Sequence, residues 1–387
     1  MRKREFTGLL ITSIILIGLK GYGQDKHPST KHVKVYYEEE KFGGWPANWG
    51  MWNWGKEILV GYTQADHKDQ KGHNYDVSTS KTQFSRSYDG GQTWQQEDAY
   101  QRGITEATWE NVIGGKSVKP ELLGQKINFK HSDFALTFRM RNALDGGTSF
   151  YYTYDRGRKW IGPFDLNVNF SGPEPAGIVS RTDYIIEGKH KMTAFLTVGF
   201  RDGEVENWRQ VACVRTDDGG ITWKHLAWIG PERLNSIMPS SLRLDKNTLL
   251  TMIRRTKPPQ MASYISKDNG NTWNQLNDPV KVDANGHPPA LLKLKDGRLC
   301  MVYGIRHAET MKEGIGMYVV FSSDNGQSWA KPNLLRGDDG ATWDIGYPRA
   351  LQLPDGKVIA TYYYNNTGQG NKYRYIAATI FNPEEYE

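Results

Sequence analysis

One octapeptide, Ser87-Tyr-Asp-Gly-Gly-Gln-Thr-Trp94, decides the fold of this 387-residue chain because it recurs along it. The shared pattern is Ser or Thr, any residue, Asp, any residue, Gly, two further residues and Trp. Asp accepts hydrogen bonds from turn amides, Gly supplies positive φ, and Trp is expected to pack the turn onto its own sheet. The other four copies are Thr153–Trp160, Thr216–Trp223, Ser266–Trp273 and Ser322–Trp329, and successive tryptophans are 66, 63, 50 and 56 residues apart.

A second repeat precedes these turns and has the pattern of a β-hairpin. Pro239–Asn247, Pro289–Gly297 and Pro348–Gly356 align without gaps, and each is followed by a β-rich run. Alternating residues, an Asp-Gly or Lys-Asn turn and further alternation predict two antiparallel strands. Looser versions of the hairpin occur at Ile127–Met140, at Tyr184–Val198 and near Ile58–Tyr62.

Six hairpins, five of them followed by the octapeptide, predict a repeated four-stranded sheet. Such sheets arranged around an axis form a β-propeller, so we predict an all-β fold with six or seven blades. The seventh blade would lie in Gln95–Lys126, which is poorly patterned, and Val33–Tyr37 is expected to close the last blade. No linker rich in Pro, Gly or Ser divides residues 25–387, which predicts a single domain.

The first 24 residues have the features of a secretory signal peptide. A basic start at Arg2, Lys3 and Arg4 precedes an apolar stretch from Thr7 to Leu19 that is too short for a bilayer span. An uncleaved anchor is the alternative. Cleavage would remove four basic residues and one acidic residue, lowering the formal charge from +6 to +3. We therefore expect a periplasmic or secreted protein with no stable membrane span after cleavage.

The composition excludes several classes of protein. Thirteen Trp and 21 Tyr argue against disorder, and two cysteines argue against a disulfide scaffold. Cys213 and Cys300 lie in apolar runs and are expected to be buried free thiols. The basic residues are dispersed, which argues against a nucleic-acid partner. No paired-cysteine zinc motif is present, and Asp66–His73 is expected to be a solvated loop, so no metal or cofactor is predicted.

Polar and aromatic residues at the starts of the inner strands are the candidate ligand-binding residues. Different blades offer different groups at similar repeat positions, and these would converge at the central mouth. Arginine forks suit a carboxylate or sulfate, and aromatic rings stack on sugar faces. The candidates are Trp45, Asn48, His131, Arg181, Tyr184, His287, Tyr347 and Arg349.

The octapeptide resembles the Asp-box of the sialidase-like superfamily of propellers, also called BNR-repeat proteins, over essentially the whole mature chain. In that superfamily the boxes lie at the blade periphery and carry no catalysis. A hydrolytic sialidase would need an Arg at the opening of the first blade, where Phe42–Gly50 contains none.

The segments Phe42–Asn48, Phe129–Ala135, Arg181–Tyr184, Ser236–Ser240 and Asp344–Arg349 resemble propellers that act on rhamnose–uronate glycans. That group includes rhamnose–glucuronate lyases, an α-L-rhamnosidase subgroup and, more distantly, ulvan lyases. The rhamnosidases carry a His after Pro-Ala-Asn, where this chain has Trp49. For the lyases, the resemblance implies that His131, Tyr184 and Arg201 are catalytic, although a second His has no counterpart because position 111 is Asn.

The predicted reaction is elimination across a carbon–oxygen bond of a uronate. Arg201, helped by Arg181 or Arg255, would neutralise the carboxylate and stabilise the enolate. His131 or Tyr184 would remove the C5 proton, and Tyr184 could protonate the leaving oxygen. The leaving group could be a sugar, as in a glycan lyase, or water, as in an oligosaccharide dehydratase.

Two other functions remain open at this point. One is an exo-glycosidase of the rhamnosidase or sialidase type, and the other is a non-catalytic glycan-binding propeller. If these residues have only structural roles, His131 is bonded to Asp133 and Arg181 forms a salt bridge with Asp183. In every functional case the expected partner is an acidic oligosaccharide or polysaccharide, such as a fragment of ulvan or arabinogalactan, and the protein is expected to be a monomer.

Overall fold

Short β-strands joined by tight turns make up nearly all the regular structure in this computed structural model. It describes residues 29–105, 118–140, 147–179, 181–202, 206–282, 286–307, 314–337, 342–366 and 371–386. Helix is confined there to α1 (Pro46–Trp49) and to short 3-10 turns that include Val77–Thr79 and Pro383–Glu385. The predicted signal peptide, residues 1–24, lies outside the described residues.

The strands of these residues form six sheets arranged as the blades of a propeller. This confirms the predicted all-β propeller, and six is the number of blades among the six or seven predicted. Strand β1 (Lys31–Tyr36) comes first. Blade 1 holds β2 (Lys41–Gly44), β3 (Met51–Trp54), β4 (Glu57–Asp66), β5 (Lys81–Ser87) and β6 (Gln95–Asp98). Blade 2 holds β7 (Ala135–Met140), β8 (Thr148–Thr153) and β9 (Ile161–Asp165). Blade 3 holds β10 (Val168–Asn169), β11 (Gly177–Ile178), β12 (Tyr184–Ile186), β13 (Met192–Asp202), β14 (Glu206–Thr216) and β15 (Trp223–Ile229).

The last three blades follow the same plan. Blade 4 holds β16 (Ser236–Arg243), β17 (Leu249–Thr256), β18 (Pro259–Ser266) and β19 (Asn274–Gln275). Blade 5 holds β20 (Ala290–Lys293), β21 (Leu299–Ile305), β22 (Gly316–Ser322) and β23 (Asn333–Arg336). Blade 6 holds β24 (Gly346–Gln352), β25 (Val358–Asn366) and β26 (Asn371–Phe381), and β1 is its outermost strand.

Strand β1 closes the ring by pairing with the last strand of the chain. It runs antiparallel to β26, with Lys31 opposite Ile380 and Tyr36 opposite Ile376. This confirms the prediction that the segment around Val33–Tyr37 closes the last blade. The three aligned hairpins are confirmed as β16–β17, β20–β21 and β24–β25. Gln95–Asp98, from the segment considered for a seventh blade, is the outer strand β6 of blade 1.

The antiparallel order of the main strands gives the propeller two different ends. Each Asp-box joins the last two strands of its blade, as between β5 and β6, and lies at what we call the box end. The connection between the second and third strands, and the start of the inner strand, lie at the opposite end, which we call the pocket end. Functional side chains from several blades can therefore meet at the pocket end.

The hydrophobic core is divided among the interfaces between blades. Each described cluster of buried apolar residues takes its members from two neighbouring blades. Strand β17 is typical, because nearly all of its residues are buried on both faces of the sheet. Cys213 and Cys300 are buried free cysteines within these clusters, as predicted. Among the described residues, no helix has the length and apolar character needed to cross a membrane.

Candidate functional site: an arginine-rich cavity around Tyr347

A cavity of about 190 Å³ opens at the pocket end, between blades 2, 3, 4 and 6. Its walls come from the starts of inner strands and from the pocket-end halves of second and third strands. Nine residues of the described part of the chain line it, and none of these is acidic: Met140, Val179, Arg181, Thr197, Arg209, Ile237, Met238, Arg254 and Tyr347. The cavity is therefore strongly cationic, with apolar side chains between the arginines.

Tyr347 lies at the centre of the cationic groups. Its hydroxyl accepts a hydrogen bond of 3.0 Å from Nη1 of Arg254. The guanidinium carbons of Arg181, Arg254 and Arg306 lie 5.2, 5.8 and 5.8 Å from the centre of its ring. These distances allow each arginine to attract the face of the ring or the charge of a phenolate.

The pKa of the Tyr347 phenol shows the combined effect of these neighbours. Burial by itself would raise the pKa, but Arg254, Arg306 and Arg181 together lower it below its ordinary value. Only about 9% of Tyr347 is exposed. The arginines therefore favour the phenolate, which is a stronger base and nucleophile than a neutral phenol.

Local backbone geometry holds Tyr347 in place at the start of β24. Its φ of 54° lies in the left-handed region, and a register irregularity in the pairing of β24 with β25 falls between Gly346 and Arg349. Trp45 and Met238 have similar φ values of 55° and 59° at corresponding points of blades 1 and 4. Left-handed backbone costs a non-glycine residue about 1–3 kcal/mol, so the surrounding structure must enforce it.

Arg181 is held by a neighbour that the sequence also indicated. Its Nε donates a 2.8 Å hydrogen bond to Oδ1 of Asn48, which is itself buried. Burial lowers the pKa of Arg181 well below its ordinary value, and the positive charge of Arg349 lowers it further. A bound anion would offset this cost of a buried cation.

Arg349 and Asp183 are two further charged residues close to Arg181. Arg349 donates 2.8 and 3.2 Å hydrogen bonds to the carbonyl of Ala47, and a further bond to the carbonyl of Thr182. Asp183 accepts a 2.8 Å bond from the Ser241 hydroxyl. Burial raises the pKa of Asp183 to about 7, against the opposing effect of Arg349. Together these bonds tie blades 1, 3, 4 and 6 around the central axis.

Three of the predicted site residues lie away from this cluster. His131 is exposed at the box end, where its ring packs 4.7 Å from Tyr154 and its Nδ1 accepts the Asp133 amide at 3.2 Å. Arg201 lies at the exposed pocket-end tip of β13, beyond the part of that strand that lines the cavity. Arg255 turns towards its own blade and donates to Gln260 and Tyr264.

Tyr184 lies between blades, towards the box end. Its hydroxyl accepts hydrogen bonds from Nε1 of Trp52 at 3.2 Å and from the Leu136 amide at 3.3 Å. Burial raises the pKa of Tyr184, which favours the neutral phenol. His287 is fully buried just before β20 and is not among the cavity-lining residues. Trp45 is buried beside the cluster, with its ring centre 6.2 Å from that of Tyr363.

Two arginines that approach Tyr347 were not among the residues predicted from the sequence. The first is Arg254, whose neighbour Arg255 was predicted to bind substrate instead. The second is Arg306, which lies just beyond the end of β21, where no repeated pattern marks it. A signal for Tyr347 and Met238 was present, since each precedes an aligned proline at the start of an inner strand. The described residues contain no group of His, Cys, Asp and Glu arranged to hold a metal ion.

Comparison with solved structures shows the same fold in several proteins. A protein of unknown function from Dyadobacter fermentans shares 23% identity, with a TM-score of 0.66, over 91% of this chain and 99% of its own. The Hadza microbial sialidase Hz136 shares 15% identity, with a TM-score of 0.59, over 87% of this chain and 65% of its own. The Fusarium graminearum α-L-arabinofuranosidase Arb93A shares 14% identity, with a TM-score of 0.55, over 91% of this chain and 99% of its own.

The sequence comparison identifies the family. No curated protein matches the chain significantly. The sequence profile of the BNR repeat-like domain matches residues 142–359, which is more than half of the chain. The six-bladed arrangement and the sialidase-like structural neighbours agree with this match. The chain therefore belongs to the BNR repeat-like domain family, within the sialidase-like β-propeller superfamily.

Proposed function

We propose that this protein is an enzyme that acts on an acidic glycan in the cavity around Tyr347. The observation that carries the proposal is the buried Tyr347 phenol, which lies close to three guanidinium groups and has a lowered pKa. A sugar carboxylate would be bound by Arg181 and Arg254, with Arg306 adding positive charge behind Tyr347. Arginine suits this task because its planar fork matches a carboxylate.

The reaction that we favour is elimination at a uronate. The phenolate of Tyr347 would remove the C5 proton, and the C5–H electron pair would form the C4–C5 double bond. The C4–O bond would break, with its electron pair leaving on the departing oxygen. The arginines would stabilise the enolate that develops on the carboxylate. This chemistry requires a base and, beside it, groups that neutralise the carboxylate of the substrate. Tyr347 would be the base, and the neighbouring arginines would neutralise the carboxylate.

The proposal reassigns the roles that the sequence resemblance implied. Tyr347 takes the role of base in place of His131, which lies at the box end, and of Tyr184, whose pKa is raised by burial. Arg181 keeps its predicted role, and Arg254 takes the role suggested for Arg201. The proposed substrate class is unchanged and is an acidic oligosaccharide, such as a rhamnose–uronate fragment. If residues 1–24 direct export, the protein would bind this substrate outside the cytoplasm.

Hydrolysis of a glycosidic bond is the second candidate, with Tyr347 as a nucleophile at the anomeric carbon. It is supported by the fold shared with solved structures named as a sialidase and an α-L-arabinofuranosidase. Hydrolysis by a pair of carboxylates is less favoured, because no lining residue described for the cavity is acidic. The lowered pKa of Tyr347 supports elimination and tyrosine-based hydrolysis equally.

The products formed from a panel of ulvan and arabinogalactan oligosaccharides test the proposal. Elimination predicts new ultraviolet absorbance from an unsaturated uronate, with no water added to the products. Hydrolysis predicts products that together contain one added water and no chromophore. Tyr347→Phe should lower kcat/KM by about 10²–10⁴-fold in either case.

The matched control is Tyr154→Phe at the box end, where the hydroxyl accepts a 2.6 Å bond from the Asn128 amide. That variant should keep the activity of the wild-type protein. Binding of the panel without any turnover would overturn the enzymatic proposal and leave a glycan-binding propeller. Full activity in Tyr347→Phe would exclude Tyr347 as the reacting group.

A further inference from the structure

His73 forms a close pair with a buried carboxylate near the cavity. It lies in the pocket-end connection between β4 and β5, where the sequence predicted only a solvated loop. Its Nδ1 is 2.7 Å from Oδ1 of Asp344, which lies just before β24. Its ring packs 5.0 Å from that of Trp45 and 5.5 Å from that of Trp343. The imidazole is therefore held in one orientation by a hydrogen bond and two indole rings.

The charge of Asp344 determines which nitrogen of His73 carries the proton. Burial alone would raise the pKa of Asp344, but the hydrogen bond from His73 and the charges of His73, Arg374 and Arg306 lower it. A charged carboxylate only accepts hydrogen bonds, so Nδ1 of His73 must donate. Nε2 is then the nitrogen that can exchange a proton with another molecule.

The two sides of this pair differ in their access to solvent. The side chain of Asp344 has no exposed surface, whereas about 32% of the His73 side chain is exposed. Within the described part of the chain, Nε2 of His73 makes no hydrogen bond. His67, in the same connection, differs because its Nε2 is already bonded to the exposed Asp69 at 3.0 Å. Only His73 combines a buried carboxylate partner with an available ring nitrogen in this connection.

Asp344 also links His73 to the surroundings of Tyr347. The same oxygen that binds His73 accepts a 2.7 Å bond from the Tyr363 hydroxyl and lies 3.7 Å from Nη2 of Arg306. Arg306 is one of the three guanidinium groups near Tyr347, and the ring of Tyr363 lies 5.8 Å from that of Tyr347. His73 and Tyr347 are thus two sides of one polar network at the pocket end.

We propose that His73, oriented by Asp344, is a second catalytic residue that protonates the leaving oxygen. The inference rests on the proposed function, because it supplies the acid for the same bond cleavage. The imidazolium Nε2–H would give its proton to the oxygen as the carbon–oxygen bond breaks, leaving neutral His73 and an alcohol. In elimination, Tyr347 would take the C5 proton, and solvent would restore both protonation states. In hydrolysis, Tyr347 would bond to the anomeric carbon as the carbon–oxygen bond breaks, and a water deprotonated by neutral His73 would then displace it, giving the free sugar, the phenolate and the imidazolium.

The described residues that line the cavity include no acidic side chain, so in this proposal the proton donor comes from outside that lining. A reaction with a sugar leaving group requires a proton donor, because an alkoxide leaves poorly. Asp344 would stabilise the imidazolium in the way that a buried carboxylate orients a catalytic histidine. Among the described residues, the charged groups that face Asp344 are His73, Arg306 and Arg374.

Two variants separate an acid from a structural residue. His73→Asn places an amide donor near the position of Nδ1, so it can keep the bond to Asp344 but has no group at Nε2. His73→Ala removes both. If His73 is the acid, both variants should lose about 10²–10⁴-fold in kcat/KM on an oligosaccharide with a sugar leaving group.

The leaving group provides the decisive comparison. On a synthetic uronate substrate that releases a nitrophenolate, which leaves without protonation, both variants should lose less than about tenfold. Equal losses on the two substrates, or wild-type activity of His73→Asn on the oligosaccharide, would overturn the assignment.

The two proposals fail in different ways. Tyr347→Phe should lose about 10²–10⁴-fold in kcat/KM on both substrates, because the proton abstraction or nucleophilic attack is needed with either leaving group. A wild-type protein with no activity on either substrate would overturn the proposed function and this inference with it. This inference alone would be overturned by a different result. In that case the wild-type protein is active and Tyr347→Phe loses activity, but the His73 variants lose the same factor on both substrates.

Discussion

At the residue scale, the difference between Arg254 and Arg255 decides the electrostatics of the cavity. Successive side chains of a strand point to opposite faces of the sheet. Arg254 therefore reaches Tyr347, whereas Arg255 reaches Gln260 and Tyr264 within its own blade. The sequence could not distinguish them because nearly all of β17 is buried, so no alternation of polar and apolar residues marks its two faces.

The pH dependence of activity tests the role of Arg254. Arg254→Met removes a guanidinium that lowers the pKa of Tyr347, so that pKa should rise. Because the phenolate is the reactive form, activity is lost as pH falls through this pKa, and the acidic limb should move to higher pH. At neutral pH we expect kcat to fall by about 10²-fold or more, as for other losses of a transition-state donor.

Arg255→Met is the matched control on the adjacent residue. It should leave the position of the acidic limb unchanged, because the Arg255 side chain contacts the opposite side of the blade. Profiles of kcat/KM against pH for the wild type and both variants make the comparison. An identical shift in both variants would contradict a specific effect of Arg254 on Tyr347.

At the scale of the element, the Asp-boxes join neighbouring blades as well as forming turns. In the first box, Oδ1 of Asp89 accepts the amides of Gln92 and Thr93 at 2.9 Å, as the turn prediction requires. The box tryptophans belong to clusters that include residues of the preceding blade as well as of their own, a contact that the turn pattern did not predict. The five are Trp94, Trp160, Trp223, Trp273 and Trp329.

The residue after the box Asp allows a matched test of this contact between blades. Gly90 and Gly219 occupy that position in two boxes, and both have a φ of 75°. A Cβ at Gly219 would lie 2.6 Å from the backbone nitrogen of Ile127 in the preceding blade, whereas one at Gly90 would have only an ordinary 3.8 Å contact. Asn occurs at this position in the fourth and fifth boxes with positive φ.

We predict that Gly219→Asn destabilises the protein much more than Gly90→Asn. Asn tolerates left-handed backbone, so Gly90→Asn should change the free energy of unfolding by less than about 1 kcal/mol. Gly219→Asn should cost about 2 kcal/mol or more, because the backbone of Ile127 must move. Denaturant unfolding measures both values. Equal costs would show that the boxes are independent of the preceding blade.

At the scale of the whole molecule, the ring depends on a strand from one end of the chain pairing with the other. Strand β1 covers the edge of β26 from Ile376 to Ile380 and buries Val35 and Tyr36. Without β1, the backbone groups of β26 would form an open sheet edge, which favours aggregation. Closure also holds blade 6, which carries Tyr347, against blade 1, which carries His73.

We predict that a variant starting at Glu38 is strongly destabilised. It lacks β1, so it loses its hydrogen bonds and the burial of two large side chains, each worth about 1.5–3 kcal/mol. A variant starting at Ser29 keeps β1 and is the control. Thermal unfolding and light scattering should show a lower melting temperature and aggregation only for the shorter variant. Equal melting temperatures would show that ring closure does not depend on β1.

The sequence by itself determined the architecture, because an Asp-box turn and a proline-initiated hairpin are local patterns that recur with each blade. It also indicated Arg181, Asn48, Tyr347 and Arg349, since these stand at repeat positions where blades begin. Whether Arg254 or Arg255 reaches Tyr347 depended on which face of the nearly fully buried strand β17 each side chain occupies. The pairing of His73 with Asp344 joined residues of the first and last blades. Only closure of the ring brings such distant groups together, and no local pattern records which of them will meet.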